Sequence, residues 1–179
     1  MPIRSYQGIQ PTIGQHVYID ESAVIIGDVT IGKDSAIWPM VVVRGDMHRI
    51  VIGEATNIQD GSILHITHAS EKTNPQGYPL LIGNGITVGH KVTLHGCTID
   101  DWCLIGMDSL VMDGAHIHSE VILGAKSLVP PGKILESGYL YVGSPCVQKR
   151  ALTQEEKDFI RYSAKNYVAL KNNYLKAST

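Results

Sequence analysis

The sequence predicts an all-β fold, a parallel β-helix of six-residue repeats followed by a C-terminal α-helix. Aliphatic residues recur at every sixth position over most of the chain, and glycine often stands directly after them. Towards the end of the chain an apolar stripe at helical spacing replaces this pattern. A period of six fits neither an α-helix nor a simple hairpin alternation. It does fit short strands that are joined by tight corners.

Each six-residue unit is predicted to form one side of a triangular coil, with its aliphatic residue in the core. Three units make a coil of about 18 residues, and coils stack about 4.8 Å apart, as neighbouring strands do. We expect the glycines to ease the corners by adopting unusual backbone angles. These glycines are Gly14, Gly32, Gly53, Gly83, Gly89, Gly106 and Gly124. The predicted core residues are Ile13, Ile19, Ile25, Ile31, Ile37, Val43, Ile52, Ile58, Leu64, Ile82, Val88, Leu94, Ile99, Ile105, Val111, Ile117, Leu123 and Val129.

We predict a single domain over residues 1–179, in which the β-helix covers about residues 10–145. A polar segment near residues 69–80 carries two prolines and a glycine, so it is predicted to protrude as a loop. The helix is predicted over about residues 153–175, packed along the coils or against a neighbouring subunit. Thr153 and Glu156 have the spacing of a capping box at its start. Its apolar stripe is Phe159, Ile160, Tyr167, Leu170 and Tyr174.

Charge and composition exclude several classes of function. The net charge is −2 and no basic block occurs, so nucleic acid is not an expected partner. No apolar run is long enough for a signal peptide or a membrane span. The three cysteines, Cys97, Cys103 and Cys146, are too few and too odd in number for a disulfide framework. We therefore expect a cytoplasmic protein with reduced cysteines in its core.

Two histidines share one phase of the repeat. His65 follows the core residue Leu64, and His95 follows Leu94, so the two lie 30 residues apart in the same position of the unit. Removing a loop of about 12 residues leaves one coil of about 18, which stacks the two imidazoles on adjacent coils. That separation suits two ligands of one metal ion.

His90 lies nearly one side of the coil away from His95, so it is not expected to complete the same site within one chain. A cyclic oligomer can still bring the three histidines together, because His90 of one subunit can meet His65 and His95 of the next. Three histidines with an open position are typical of a catalytic metal site. The alternatives are hydrogen-bonded corner histidines, or a metal that only joins subunits. We expect His68 to line the mouth of the site. The remaining histidines, predicted to have surface or corner roles, are His16, His48, His116 and His118.

The residues resemble the γ-class carbonic anhydrases and their bacterial relatives over nearly the whole chain. The matching features are the repeats, residues 41–46 (VVVRGD), residues 57–61 (NIQDG), the three histidines and the terminal helix. The resemblance implies a left-handed β-helix and a homotrimer with metal sites at the subunit interfaces. It implies Zn²⁺, or Fe²⁺ or Co²⁺, as the ion. The activity implied is a lyase reaction, the reversible hydration of CO2 to bicarbonate by metal-bound hydroxide.

The resemblance also assigns roles to residues around the metal. Arg44 and Asp46 match a pair that bridges subunits, and Arg44 is a candidate to face bicarbonate; a structural salt bridge is the alternative. Gln59 lies one repeat unit before His65 in the same phase, so its amide is a candidate to orient hydroxide or substrate.

The resemblance extends to three further polar residues. Asn57 and Asp60 match polar residues near the site, and Asp60 is a candidate to fix the tautomer of a ligand imidazole. Tyr167 on the terminal helix is a candidate to reach over the site. One departure is that Met47 stands where the founding type has a glutamate that moves protons, and the loop offers only Glu71. This departure predicts slower turnover.

Three other functions remain open on the sequence. Many hexapeptide-repeat proteins are acyltransferases that use one histidine base, a pattern that leaves three phase-related histidines unexplained. A metal-dependent hydrolase of an activated ester or thioester uses the same hydroxide on another carbonyl. A non-catalytic trimeric scaffold or metal-binding protein is the third alternative.

Overall fold

The computed structural model describes residues 3–177, which form a left-handed parallel β-helix with one C-terminal α-helix. The fold class predicted from the repeat is confirmed. The first ten strands are β1 (Ile3–Arg4), β2 (Thr12–Ile13), β3 (Tyr18–Ile19), β4 (Val24–Ile31), β5 (Ala36–Ile37), β6 (Val42–Ile52), β7 (Asn57–Ile58), β8 (Ile63–His65), β9 (Leu80–Ile82) and β10 (Thr87–Val88). The others are β11 (Thr93–His95), β12 (Thr98–Ile99), β13 (Leu104–Ile105), β14 (Leu110–Val111), β15 (His116–Ile117), β16 (Ile122–Leu123), β17 (Leu128–Val129), β18 (Ile134–Leu135), β19 (Tyr139–Gly143) and β20 (Cys146–Ala151), before helix α1 (Gln154–Ala177).

The strands form three parallel ladders, one on each face of the triangular coil. Face one contains β6, β8, β11, β14 and β17, and face two contains β6, β9, β12, β15 and β18. The long strand β6 bends from face one to face two and joins them into one sheet. Face three contains β3, β5, β7, β10, β13, β16 and β19, and the antiparallel strand β20 pairs with β19 at its end. Each ladder therefore stacks one side of successive coils.

The predicted core positions lie inside the coils. All are buried except Ile13 and Ile19, which are partly buried near the first coil. The three cysteines are buried and free, as expected. Within residues 3–177, no helix is both long and apolar enough to cross a bilayer.

The glycines that follow the core residues have a different role from the one predicted. Gly53 and its equivalents have ordinary backbone angles, and the left-handed angle falls two residues later, for example at Ala55 (φ 50°). The reason for glycine is the close approach of the next coil. A Cβ on Gly53 would stand 2.5 Å from the carbonyl oxygen of Gly83, and one on Gly106 would stand 2.4 Å from the amide nitrogen of Ala125. No side chain fits between coils at these corners.

We predict that Gly53→Ala destabilises the fold by about 1–3 kcal/mol, because the added methyl group must push two coils apart. Ala55→Gly should be neutral or slightly stabilising, since glycine adopts a left-handed angle without strain. Chemical denaturation of the two variants measures both effects. Wild-type stability of Gly53→Ala would contradict the close-packing explanation.

Helix α1 packs on face three, against β3, β5, β7 and β10. Its predicted capping box is present: the Glu156 amide donates to Thr153 Oγ1 (3.2 Å), and the Thr153 amide donates to Glu156 Oε2 (2.9 Å). The predicted apolar stripe is only partly correct. Ile160 is buried, but Phe159 and Leu170 are exposed. The buried face of α1 consists instead of Ile160, Ser163, Ala164 and Lys171.

Two irregular segments lie beside His65. Strand β6 contains a bulge, because Gly27 of β4 pairs with Gly45 while Val29 pairs with Ile50. The additional residues of β6 place Asp46 next to β8. The second segment, residues 66–79, leaves the coil after β8 and returns at β9, and its two ends are held by backbone hydrogen bonds between Thr67 and Tyr78.

Candidate metal centre

His65 and His95 face each other on adjacent coils of face one. Strands β8 and β11 pair them directly in register, as the spacing predicts. His65 Nδ1 lies 3.1 Å from His95 Nε2. Two nitrogens that each lie about 2.0–2.1 Å from a tetrahedral zinc ion are roughly 3.3 Å apart. The observed separation therefore suits two ligands of one ion.

A carboxylate fixes the outer nitrogen of each of these imidazoles. His95 Nδ1 donates to Asp113 Oδ1 (2.7 Å), and His65 Nε2 donates to Asp46 Oδ1 (3.3 Å). With a proton on each outer nitrogen, neutral imidazoles have bare lone pairs on the two inner nitrogens. Lone pairs 3.1 Å apart repel unless a proton or a metal cation lies between them. This arrangement matches the carboxylate–histidine–metal pattern of metal centres.

Asp46 is shared between His65 and Arg44. The Arg44 guanidinium donates to Asp46 Oδ2 (2.6 Å), so the two residues of the predicted pair contact each other within one chain. Burial would raise the pKa of Asp46, but the hydrogen bonds from Arg44 and His65 outweigh it and hold that pKa below its usual range. Burial lowers the pKa of His65, against the opposing effect of Asp46. Both shifts favour an ionised carboxylate beside a neutral imidazole, which is the form that binds metal.

Asp113 is a further residue of this site that is not among the predicted ones, although its position in the repeat indicates it. It lies 18 residues after His95, one coil further along the same corner. Its Oδ2 accepts a hydrogen bond from Thr67 Oγ1 (2.9 Å), which fixes the carboxylate from the side of the 66–79 segment. We call His65, His95, Arg44, Asp46 and Asp113 the His65 cluster.

His90 lies at a different corner, in the turn between β10 and β11. Its Nδ1 lies 2.9 Å from Asp60 Oδ2, so Nε2 is the ring nitrogen that does not contact this carboxylate. Among residues 3–177, the one group of three metal-ligating side chains with ligand atoms within 4.8 Å of one another is Asp100, His116 and His118. His90 therefore does not join His65 and His95 within a single chain.

Gln59 and Asn57 are buried next to His90 in a chain of hydrogen bonds. Gln59 Nε2 donates to Asn57 Oδ1 (3.1 Å), and Asn57 Nδ2 donates to Thr87 Oγ1 (3.1 Å). The Thr87 hydroxyl in turn bonds to that of Ser163 on α1 (2.8 Å). With one Nε2 hydrogen engaged, the Gln59 amide keeps its carbonyl oxygen and a second N–H for other partners.

Tyr167 lines the same cavity, of about 510 Å³, as Gln59 and His90. Its ring packs against Trp38 with centroids 6.0 Å apart. Burial, and secondarily the charge of Asp60, raises the pKa of Tyr167. We call His90, Asp60, Gln59, Asn57 and Tyr167 the His90 cluster.

The two clusters flank face one, with the His90 cluster at the corner before its strands and the His65 cluster at the corner after them. Between them, the outward side chains of Ile63 on β8 and Leu110 on β14 are exposed apolar groups. The structure thus brings the predicted site residues together in two groups rather than one. His68, which is predicted to line the site mouth, is exposed on the His65 side of the molecule. Met47, which stands in place of a proton-transferring glutamate, and Glu71 are exposed on the same side.

These features define a β-helix of the hexapeptide-repeat class with carboxylate-supported histidines at its corners. The family model described as "Bacterial transferase hexapeptide (six repeats)" matches residues 10–45. Protein YrdA of Escherichia coli K12 is 57% identical over 173 residues, which are 97% of this chain and 94% of YrdA. Mitochondrial γ-carbonic anhydrase 2 of Arabidopsis thaliana is 41% identical over 162 residues, which are 89% of this chain and 57% of the plant protein.

A solved structure agrees with these relatives. A hexapeptide transferase family protein from Anaplasma phagocytophilum superposes with a TM-score of 0.88 at 39% identity, over 96% of this chain and 97% of that protein. The chain belongs to the hexapeptide-repeat family, and its homologues include γ-class carbonic anhydrases at 39–41% identity. The resemblance inferred from the sequence is confirmed.

Proposed function

We propose that the protein is a γ-class carbonic anhydrase, a metal-dependent lyase that hydrates CO2 reversibly to bicarbonate. The observation that carries this proposal is the pair of inner nitrogens of His65 and His95, 3.1 Å apart, with their outer nitrogens held by carboxylates. This arrangement suits a metal cation, which would take the place of a proton shared between the two nitrogens. The buried free cysteines fit a cytoplasmic location.

The ion we propose is Zn²⁺, with Fe²⁺ or Co²⁺ as alternatives, held by His65, His95 and His90. Each of the three imidazoles has one nitrogen next to a carboxylate, hydrogen-bonded in His65 and His95 and at 2.9 Å in His90, and a second nitrogen available as a ligand. Imidazole nitrogens supported in this way are donors that borderline divalent metals prefer. When bound, such an ion lowers the pKa of water to about 7 and so supplies hydroxide near neutral pH.

We propose a homotrimer in which the His90 cluster of one chain faces the His65 cluster of the next. Two observations support it. The clusters flank the same face, so a cyclic arrangement brings them together at every interface. Exposed Ile63 and Leu110 lie between the clusters and provide apolar surface for that contact.

The remaining residues have roles that follow from their contacts. Gln59, fixed by Asn57, is proposed to accept a hydrogen bond with its amide oxygen and so to orient the attacking group. Arg44, a member of the His65 cluster, is partly exposed, and its guanidinium is suited to hold the bicarbonate anion. The hydroxyl of Tyr167 is proposed to cover the site from α1.

Stopped-flow CO2 hydration tests the proposal. Protein loaded with about one zinc ion per chain should accelerate hydration above the buffer rate, removal of zinc by a chelator should abolish the acceleration, and added zinc should restore it. Turnover is expected to be slower than in relatives with an acidic residue in place of Met47. A zinc-loaded protein that hydrates CO2 no faster than buffer would refute the proposal.

A second candidate function is the metal-dependent hydrolysis of an ester or thioester. It is favoured by the cavity of about 510 Å³ beside Gln59 and His90, which is larger than CO2 needs and is lined by Phe159 and Tyr162. Zinc-dependent cleavage of acyl thioesters by a protein inactive on CO2 would support it. Metal-independent acyl transfer would support the acyltransferase alternative instead, and a metal-loaded protein without either activity would support a non-catalytic metal-binding trimer.

A further inference from the structure

Asp100, His116 and His118 form a histidine–carboxylate group outside the proposed carbonic anhydrase site. Asp100 follows strand β12, and the two histidines belong to or follow β15 on the next coil. His116 Nε2 lies 3.0 Å from both carboxylate oxygens of Asp100, and His118 Nδ1 lies 3.0 Å from Oδ2. From the sequence, both histidines are expected only in surface or corner roles.

The repeat explains why the three side chains converge. Asp100 follows core residue Ile99, and His118 follows Ile117 one coil later, so the two occupy equivalent positions on adjacent coils. His116 and His118 are two residues apart, which places them on the same side of an extended segment. Their ring centroids lie 4.2 Å apart. The same rule of one coil between ligands applies to His65 and His95.

The ligand atoms of the group have the separations that a metal ion needs. One nitrogen from each histidine and one oxygen of Asp100 all lie within 4.8 Å of one another. Both nitrogen-to-oxygen distances, at 3.0 Å, are close to the roughly 3.3 Å between two ligands of a tetrahedral zinc ion. All three side chains are about one-third exposed, so an ion can enter from solvent and keep a position open for water.

We propose that Asp100, His116 and His118 bind a second divalent transition-metal ion, with zinc as the fitting example. Two imidazoles and one carboxylate on one side of an ion are a donor set typical of Zn²⁺ and other borderline metals rather than Mg²⁺ or Ca²⁺. The site lies at the corner between faces two and three. It is therefore separate from both the His65 and the His90 cluster, and it is complete within one chain.

Zinc titration by calorimetry tests the proposal in a His65→Ala/His95→Ala background, which removes the proposed carbonic anhydrase site. This background should still bind about one zinc ion per chain. Adding His116→Ala or Asp100→Asn should abolish that binding. Adding His16→Ala, at an exposed histidine outside the group, should leave it unchanged. Thermal unfolding without metal checks that each variant is folded.

Two outcomes would overturn the proposal. One is a background variant that binds no zinc, which would make the group a hydrogen-bonded His–Asp–His stack. The other is binding that survives His116→Ala. Diffraction from zinc-soaked wild-type crystals at the zinc absorption edge gives a direct readout, and the expected peak lies within coordination distance of all three side chains. Absence of carbonic anhydrase activity has no bearing on these results, because the background already lacks that site.

Discussion

Mixing His90→Ala chains with His95→Ala chains will restore about a quarter of the wild-type zinc content and CO2 hydration rate, although each variant alone is close to inactive. If every site takes His90 from one chain and His95 from the next, a site is complete only where a His95→Ala chain supplies His90 to a His90→Ala chain. In a random mixture of equal amounts, each of the two chains at a site is the required variant with a probability of about one half. A site is therefore complete with a probability of about one quarter. Refolding or coexpression of the mixture, followed by metal analysis and stopped-flow assays, measures it.

The chain offers a matched control for this experiment. His65 and His95 lie in the same cluster, 3.1 Å apart, so mixing His65→Ala with His95→Ala chains leaves every site without a ligand. That mixture should stay inactive at all ratios. Restoration in the control mixture, or no restoration in the His90→Ala and His95→Ala mixture, would contradict shared ligation.

The register of the two stacked histidines could be predicted because the repeat imposes it. A coil has a fixed length, so a separation of 30 residues with a loop between His65 and His95 leaves one coil, and strands β8 and β11 pair as expected. The same arithmetic connects His95 with Asp113 and Asp100 with His118. Those contacts are not predicted by spacing between histidines alone, because each joins a histidine to an aspartate one coil away.

The role of the corner glycines could not be predicted from a single coil. Glycine at position 53 is explained by the neighbouring Gly83 backbone at 2.5 Å from a Cβ, and this distance depends on how coils stack. The left-handed angle is instead adopted by residues with side chains, such as Ala55 and Lys91. A glycine in the sequence therefore marks a corner of the coil. It does not show whether that corner needs a left-handed backbone angle or space for the backbone of the next coil.

The buried face of α1 departs from its hydropathy pattern for a specific reason. Lys171 is fully buried, and its ammonium group donates to the His16 carbonyl (2.6 Å) and to Asp34 Oδ1 (3.1 Å). Satisfied hydrogen bonds make such burial acceptable, whereas an apolar stripe predicts Leu170 on the inside. The side chains of Phe159 and Tyr162 remain exposed at the cavity beside His90. Hydropathy predicts the helix, but it does not predict which side packs.

Asp113→Asn is expected to weaken zinc binding about 10- to 100-fold, the usual effect of losing a carboxylate partner of a ligand imidazole. Asp113 accepts from His95 Nδ1 at 2.7 Å, so its charge raises the basicity of the opposite nitrogen and fixes the ring that faces His65. An amide keeps the size of the side chain but removes the charge. Competition with a chelator of known zinc affinity measures the change, and hydration activity should recover in part at saturating zinc.

Two comparisons separate this positioning role from a purely structural one. Thr67→Val removes only the neutral hydrogen bond to Asp113 Oδ2, so its effect on zinc affinity should be smaller than that of Asp113→Asn. Glu155→Gln removes an exposed carboxylate of helix α1, outside both histidine clusters, and should leave zinc affinity unchanged. A lower melting temperature of Asp113→Asn with an unchanged zinc affinity would mean that Asp113 only stabilises the corner. If Asp113→Asn loses zinc affinity while its melting temperature stays normal, the Asp113 carboxylate must act on the ion through His95.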